Sequence, residues 1–207
     1  SGSDLIGGGH SLGATVSLLA ALKAPDLFRA LILIEPVIFT PIRTVLYRTF
    51  YHLHLLKYIL PLIRRTRRRK RVFPNSAEMY KNYRFKSVFE NIPDSILEDY
   101  VSGLAFQKDD ETVQLAYPPE WEARIYQTSG SADLQIWRTV PGLQCPVLIL
   151  RGGKSKTLTN RSLQKLDRSS DLIIVKPIWE SGHLLPFERP EQTSRIMLDY
   201  LDNQFSP

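Results

Sequence analysis

The chain is poor in cysteine and has no long apolar run. Cys145 is its one cysteine among 207 residues. A single cysteine cannot form a disulfide within the chain, which excludes a disulfide-stabilised scaffold and favours a reducing, cytoplasmic compartment. No stretch approaches eighteen uncharged apolar residues, so we expect neither a membrane-spanning helix nor a signal peptide. The first residue is Ser1, and we expect the natural start to lie upstream of it.

Positive charge is concentrated in one short block. The 27 Lys and Arg residues outnumber the 21 Asp and Glu residues, which gives a net charge of +6. Seven of these cations lie between Arg64 and Arg71, so the rest of the chain is close to neutral. At this length we expect one domain with a full core, together with an insertion.

A glycine-rich turn near the N-terminus carries the strongest functional signal. Leu5 and Ile6 lead into Gly7-Gly8-Gly9-His10-Ser11-Leu12-Gly13, and an apolar helical stretch follows. The last five of these residues fit G-x-S-x-G, the nucleophile elbow, in which a strained turn between strand and helix exposes a serine hydroxyl. We expect the two flanking glycines to let strand and helix pack closely. An ordinary serine in a glycine-rich turn is the alternative, but the strand–turn–helix context favours a nucleophilic Ser11.

Both ends of the chain have the pattern of an α/β protein. Residues 30–34 read Ala-Leu-Ile-Leu-Ile, which is typical of a strand buried on both faces of a parallel sheet. The runs Val147–Leu150 and Asp171–Lys176 predict two further strands, and a final amphipathic helix is expected from Pro190 to Phe205. A strand, helix, strand order of this kind predicts a parallel sheet covered on both faces.

The middle of the chain has a different pattern. Amphipathic helices and loops are predicted. They include a mostly apolar helix that runs toward Leu60, one helix that begins after the cap residue Asn75 and one that begins near Asp94. We therefore predict an α/β core formed by residues 1–36 and 144–207, and an inserted helical cap formed by residues 37–143.

The four histidines differ in their suitability as a base for Ser11, whose hydroxyl needs one in hydrogen-bond reach. His10 adjoins Ser11 and is expected to point away and pack. His52 and His54 lie in the insertion, where surface or packing roles are favoured over a substrate contact. His183 follows the last predicted strand, on the face of the sheet where the elbow lies, and is the predicted base.

Two motifs of this chain resemble those of the α/β-hydrolase-fold serine hydrolases that have a helical cap. They are the motif around Ser11 and the run Ser181-Gly182-His183-Leu184-Leu185-Pro186-Phe187-Glu188-Arg189-Pro190. The resemblance covers essentially the whole chain, but only the second half of the usual fold. It implies Ser11 as the nucleophile and His183 as the base, with no cofactor and no metal. Serine rather than aspartate at the elbow favours acyl-bond hydrolysis over epoxide-hydrolase or dehalogenase chemistry.

The acid that would orient His183 departs from the family pattern. The family usually has an aspartate after the strand that corresponds to Val147–Leu150, but here the expected position holds Ser155 or Lys156. Asp167 and Asp171 are poorly placed, Asp171 because it begins a strand whose other end carries the site. Glu35 ends a strand on the correct face and is the predicted acid. The alternative is a strand-end glutamate paired with Lys156 or Arg151.

An acyl intermediate also needs donors for its oxyanion and a pocket for its substrate. The backbone N–H of Leu12 is predicted to be one oxyanion donor, and the second is expected upstream of this chain. We therefore expect the 207-residue chain to be nearly inactive alone and a version extended upstream to be active. The substrate is predicted to be a hydrophobic small molecule. Four apolar residues of the insertion are predicted to contact it: Leu46, Phe50, Leu53 and Trp121.

The block Arg64 to Arg71 has two interpretations. Charge runs usually face water, which favours a solvated surface segment. An apolar helix that leads into seven positive charges could instead contact an anionic membrane weakly. Nucleic acid is not a predicted partner, because no aromatic platform or binding motif accompanies the block.

Three function classes follow from the sequence. The first is a cytoplasmic serine hydrolase of the esterase or lipase type. The second is an inactive fragment or lapsed homologue that acts as a binding scaffold, and the third is a peripheral membrane-binding module. The oligomeric state is not predicted.

Overall fold

The computed structural model describes residues 4–108, 112–131 and 133–205. Residues 1–3 and 206–207 of the predicted core, and residues 109–111 and 132 of the predicted insertion, lie outside this description. The chain divides into two compact units, one formed by Ser1–Leu46 with Gly130–Pro207 and the other by Tyr47–Ser129. Both boundaries fall inside the segment 37–143, and the role of that segment as a cap stays a prediction.

The first unit contains a parallel four-stranded sheet. Its strands are β1 (Ile6–His10), β2 (Ala30–Ile34), β6 (Val147–Gly152) and β7 (Ile173–Ile178), in the order β1-β2-β6-β7. The pairs are all parallel, so the carboxyl ends of the four strands lie at one edge of the sheet. The predicted α/β class with a parallel sheet is confirmed.

Helices cover both faces of this sheet. They are α1 (Leu12–Lys23), α8 (Asp133–Thr139), α9 (Asn160–Asp167), α10 (Leu185–Glu188) and α11 (Pro190–Phe205). Side chains along a strand alternate between faces. One core cluster therefore contains Leu31 and Leu33 with Leu18 of α1, and the other contains Ala30 and Ile32 with Tyr200 of α11. Burial on both faces explains why the two central strands, β2 and β6, are almost continuously apolar.

Three strands differ from their predicted limits, among them β6, which continues past Leu150 to Gly152. β1 continues through the glycines to His10, because these glycines pair with Leu31, Ile32 and Leu33 of β2. The last strand begins at Ile173 rather than at Asp171 and continues to Ile178. The longer strand carries the chain further toward the edge of the sheet at which Ser11 lies.

The second unit combines short helices with a small sheet. Its helices are α3 (Leu56–Ile59), α4 (Pro61–Arg67), α5 (Ser76–Arg84), α6 (Asp94–Leu104) and α7 (Pro119–Thr128), and α2 (Pro41–His52) spans the boundary between the units. The predicted helix that continues from α2 toward Leu60 is wrong, since α2 ends at His52 and His54 has a positive φ of 57°.

A three-stranded antiparallel sheet in this unit was not predicted. Its strands are β3 (Val72–Phe73), β4 (Ala105–Gln107) and β5 (Val113–Leu115), in the order β3-β5-β4. Strands of two or three residues are too short to show an alternating pattern.

The two helix starts predicted for this part of the chain, after Asn75 and near Asp94, are correct. The Asn75 side chain accepts the N–H of Glu78 at the start of α5. Among the described residues, no helix has the length and apolar character needed to cross a membrane.

Candidate active site

Ser11 occupies a strained turn between β1 and α1. Its φ of 58° and ψ of −121° lie in a region that side chains other than glycine rarely adopt. A Cβ at Gly9 would approach the backbone of Gly13 and Ala14 to 2.5–2.7 Å, so only glycine fits there. A Cβ at Gly13 would meet nothing within 4 Å. Close packing of strand and helix therefore requires glycine at position 9 but not at position 13. The expectation that both flanking glycines are needed is wrong for Gly13.

The side chains of Ser11, His183 and Glu35 form one hydrogen-bonded row. Nε2 of His183 lies 2.9 Å from Oγ of Ser11, and Nδ1 of His183 lies 3.1 Å from Oε2 of Glu35. A carboxylate only accepts hydrogen bonds, so Nδ1 carries the proton and the Nε2 lone pair faces the serine hydroxyl. This tautomer allows His183 to accept a proton from Ser11.

Glu35 is fully buried and well supplied with donors. It follows β2 directly, with a positive φ of 49°. Its Oε1 accepts the backbone N–H of Gly152 at 2.7 Å, and its Oε2 accepts the hydroxyl of Ser155 at 2.5 Å in addition to its contact with His183. A buried carboxylate requires such partners, because burial without them costs several kcal/mol.

Arg151, one of the two alternative partners of Glu35, is engaged elsewhere. Arg151 donates to the carbonyl oxygens of Leu158 and Ser155, and within the described residues Glu35 has an ion pair with His183 but none with Arg151 or Lys156. Ser155, at the position where the family usually has an aspartate, donates to the glutamate of the neighbouring strand. The carboxylate that contacts His183 therefore follows β2 and not β6.

The loop that carries His183 is held from two sides. Glu188, which is buried at the end of α10, accepts the backbone N–H of Gly182 at 2.7 Å. Nε2 of His10 lies 2.7 Å from the carbonyl oxygen of His183, and the two rings lie 4.9 Å apart. His10 packs, as expected, but it packs against the ring of His183, so the expectation that its side chain points away from the site is wrong. Burial lowers the pKa of His10, which favours a neutral ring that donates its one N–H to this carbonyl.

Gly152 is a further point of close approach near the site. A Cβ there would come within 2.1 Å of the carbonyl oxygen of Gly182. Only glycine therefore lets the end of β6 pass so close to the loop that contains His183. Neither Gly152 nor Glu188 was predicted as a site residue. Their signal in the sequence is weak, because Gly152 acts through its own backbone and the carboxylate of Glu188 accepts a backbone N–H rather than contacting a catalytic side chain.

Leu12 is the first residue of α1, directly after Ser11. The first N–H groups of a helix have no partner within the helix and carry its partial positive charge. The N–H of Leu12 is therefore suited to an oxyanion next to the Ser11 hydroxyl.

The predicted substrate-contact residues are largely exposed. Leu46 ends one segment of the first unit, whereas Phe50, Leu53 and Trp121 belong to the second. The exposed fractions are 50% for Leu46, 59% for Leu53 and 60% for Trp121, and Phe50 is half-buried. Their contact with substrate stays a prediction.

Asp133 is a buried carboxyl near the segment that follows Glu35. Its Oδ2 accepts the backbone N–H of Phe39 at 2.7 Å, and its Oδ1 is buried without a partner in the described part of the chain. Trp137 donates to the carbonyl oxygen of the same Phe39 at 2.7 Å. Burial raises the pKa of Asp133 to about 7 despite the Phe39 hydrogen bond.

No cluster with the composition of a metal site occurs among residues 4–108, 112–131 and 133–205.

Solved structures with a similar fold include several hydrolases. The peroxisomal alpha-beta-hydrolase Lpx1 from Saccharomyces cerevisiae is 20% identical, and the match covers 98% of this chain and 53% of that one, with a TM-score of 0.73. The esterase Rv0045c from M. tuberculosis is 20% identical, with 95% and 62% coverage and a TM-score of 0.66. A thioesterase domain from the curacin biosynthetic pathway is 18% identical, with 92% and 65% coverage and a TM-score of 0.66.

This chain spans between about half and two thirds of the length of those structures. At such identities the likeness shows the fold. A comparison with curated proteins gives no significant match. A sequence model of the alpha/beta hydrolase family matches residues 1–196, nearly the whole chain. The chain therefore belongs to the alpha/beta hydrolase family.

Proposed function

We propose that the chain is a serine hydrolase that cleaves an ester or similar acyl bond of a hydrophobic small molecule. The observation that carries this proposal is the row of two hydrogen bonds from Ser11 through His183 to Glu35. A strained nucleophile turn, a base of suitable tautomer and a buried carboxylate are the three parts that activate a serine hydroxyl. Membership in the alpha/beta hydrolase family supports the same reading.

In the first step Oγ of Ser11 attacks the acyl carbon while its proton moves to Nε2 of His183. The carbonyl π electrons move onto oxygen, and the resulting oxyanion accepts the N–H of Leu12. The imidazolium then gives its proton to the leaving-group oxygen as the acyl–oxygen bond breaks. Glu35 stays ionised and stabilises the positive ring through Nδ1.

In the second step water replaces the alcohol. His183 takes a proton from the water, whose oxygen attacks the acyl-serine carbon. The bond to Oγ then breaks as the serine recovers its proton from His183, and the carboxylic acid leaves. The balanced result is one ester and one water converted into one acid and one alcohol, with the enzyme unchanged.

The proposed substrate is an ester or thioester with a hydrophobic acyl group. Esterases and a thioesterase domain are among the structures of similar fold, which supports an ester or thioester bond. We keep Leu46, Phe50, Leu53 and Trp121 as the proposed substrate contacts, because apolar side chains suit a hydrophobic acyl group. We also propose a cytoplasmic location, since the one cysteine, Cys145, is buried and free.

Hydrolysis of p-nitrophenyl esters of increasing acyl length tests the proposal. The rate of the wild-type chain, even if low without a second oxyanion donor, should exceed that of Ser11→Ala and of His183→Ala. The ratio reaches about 10⁶-fold only where the triad and the oxyanion hole are both complete. Ser194→Ala and His52→Ala are matched controls, because both residues are exposed and lie outside the row. Loss of activity in the controls, or equal rates in all five proteins, would contradict the proposal.

A further inference from the structure

We propose that the second unit has a docking surface for anionic lipid headgroups, formed by a basic cleft and an apolar rim within residues 51–68. The basic block Arg64 to Arg71 then contributes to a membrane contact on the second unit. This binding does not rest on the proposed hydrolase chemistry.

The surrounding segment is free of negative charge. No Asp or Glu occurs between Glu35 and Glu78, whereas ten Lys and Arg residues do. Of the block Arg64 to Arg71, only Arg69 has an ion pair, with Glu122, in the part of the chain that the structure describes. Lys70 interacts electrostatically with Glu78, and the five remaining arginines of the block have no ion pair with a carboxylate among the described residues. Such a surface is complementary to phosphate and carboxylate groups of lipids.

Two of these cations meet in one cleft. Lys57 of α3 and Arg67 of α4 line an open cleft of about 320 Å³. The other lining residues are Tyr51, His54, Leu56 and Gln127, so no carboxylate contributes to the cleft. Lys and Arg donate charge-assisted hydrogen bonds, which are the strong interactions for a phosphate. The cleft thus has the chemistry to bind one anionic headgroup.

Exposed apolar side chains lie along the same segment as the cleft. The exposed fractions are 38% for Leu55, 72% for Tyr58, 46% for Ile59 and 51% for Leu62. Single exposed apolar residues are ordinary on soluble proteins, but four within eight positions beside unpaired cations are not. Apolar side chains that enter the headgroup region, combined with basic residues, are the mode of interfacial membrane binding.

The exposed apolar residues Leu55, Tyr58, Ile59 and Leu62, which form the apolar rim, favour lipid over nucleic acid as the ligand of this surface. Stacking on bases requires aromatic platforms, whereas three of the four rim residues are aliphatic. Aliphatic side chains gain free energy by leaving water for hydrocarbon, which a polynucleotide does not offer.

Co-sedimentation of the full chain with vesicles tests this surface. We expect binding to vesicles of phosphatidylcholine with phosphatidylserine, much weaker binding to phosphatidylcholine alone, and a decline with added salt. Each basic residue near an anionic surface contributes about fivefold in partitioning, so Lys57→Gln with Arg67→Gln should lower binding about 25-fold. Tyr58→Ser with Ile59→Ser should also lower it, with a smaller change in salt dependence.

Matched controls remove the same charge or apolar area elsewhere. Arg161→Gln with Arg168→Gln changes two exposed cations of the first unit, and Phe85→Ser changes an 89% exposed aromatic residue outside the segment. Both controls, and Ser11→Ala, should bind like the wild type. Equal binding to both kinds of vesicle, equal losses in cleft and control variants, or binding to a DNA duplex without binding to vesicles would overturn the proposal. Thermal unfolding of each variant shows that it is folded.

Discussion

At the scale of single residues, Glu35 is the least expected part of the site. Its carboxylate faces Nδ1 of His183 from the end of β2, while Ser155, after β6, donates to that carboxylate. We expect Glu35→Gln to lower the hydrolysis rate by about 10⁴-fold, because an amide favours the wrong histidine tautomer and cannot stabilise the imidazolium. Steady-state kinetics with a p-nitrophenyl ester measure this. A loss of less than tenfold would contradict the role of Glu35.

A carboxylate moved to position 155 should replace the missing one. The Ser155 hydroxyl lies 2.5 Å from Oε2 of Glu35, so an aspartate there brings its charge close to the same histidine. Ser155→Asp added to Glu35→Gln should raise the rate about tenfold or more over Glu35→Gln alone, or about 1.4 kcal/mol in the barrier. Lys156→Asp is the matched control, because Lys156 is exposed. Equal recovery from both second changes would contradict the geometry.

The two glycines of the elbow should tolerate substitution differently. Gly9→Ala forces the backbone of Gly13 and Ala14 to move, since the new Cβ would lie 2.5 Å from it. We expect it to lower the free energy of unfolding by about 1–3 kcal/mol, the usual cost of overpacking, and to lower activity. Gly13→Ala places its Cβ in open space within α1 and should stabilise the helix by up to about 1 kcal/mol. Urea unfolding of both variants measures the difference, and equal destabilisation would contradict it.

At the scale of elements, the segment after β2 is fixed by α8. Asp133 and Trp137 of α8 hold the N–H and the carbonyl of Phe39, four residues after Glu35. Thr15 of α1 exchanges hydrogen bonds with the backbone of Val37 in the same segment. The position of Glu35 thus depends on two helices as well as on its own strand.

The buried carboxyl of Asp133 predicts a pH dependence of stability. Its pKa rises from 3.8 to about 7 on folding because burial disfavours the charged form. The unfolded chain therefore loses this proton first, and stability should fall as the pH rises from about 4 to about 7 and then level off. At about 1.4 kcal/mol per pKa unit, this loss amounts to about 4 kcal/mol.

Asp133→Asn tests the same point, because its side chain cannot ionise. Urea unfolding of the wild type and of the variant at a series of pH values should show the two curves separate between pH 4 and 7, with the wild type falling relative to the variant. Parallel curves over this range would show that Asp133 does not titrate as proposed.

The sequence predicted the elements of the core well for a physical reason. Strands buried on both faces must be continuously apolar, so β2 was predicted at its observed limits and β6 was recognised. The small sheet β3-β5-β4 was missed, because its two- and three-residue strands carry no such pattern. The break after His52 was also missed, since it is a positive φ at a histidine rather than a glycine or proline.

Only part of the site was predicted, because only some of its contacts have a local signal in the sequence. Ser11 and His183 lie in motifs that are local in sequence, and Glu35 follows from the rule that parallel strands end at one edge. The contacts of Ser155 with Glu35 and of His10 with His183 depend instead on how loops from different strands approach one another. Contacts between residues more than a hundred positions apart have no local signal.

At the scale of the whole molecule, the chain combines a hydrolase-type site in one unit with a basic, apolar surface in the other. The row Ser11–His183–Glu35 belongs entirely to the first unit, and the cleft of Lys57 and Arg67 entirely to the second. The two proposals are therefore separable by mutation. Catalytic variants should retain vesicle binding, and cleft variants should retain a reactive serine.

The central claim is that Ser11 is activated by His183. Labelling with a fluorophosphonate probe, followed by mass spectrometry of the labelled peptide, measures this directly, because only an activated serine reacts. The account predicts an adduct on Ser11 in the wild type, none in Ser11→Ala, and at least a hundredfold slower labelling in His183→Ala, the lower range for loss of a general base. Full labelling of His183→Ala, or no adduct on Ser11 in the folded wild type, would contradict it.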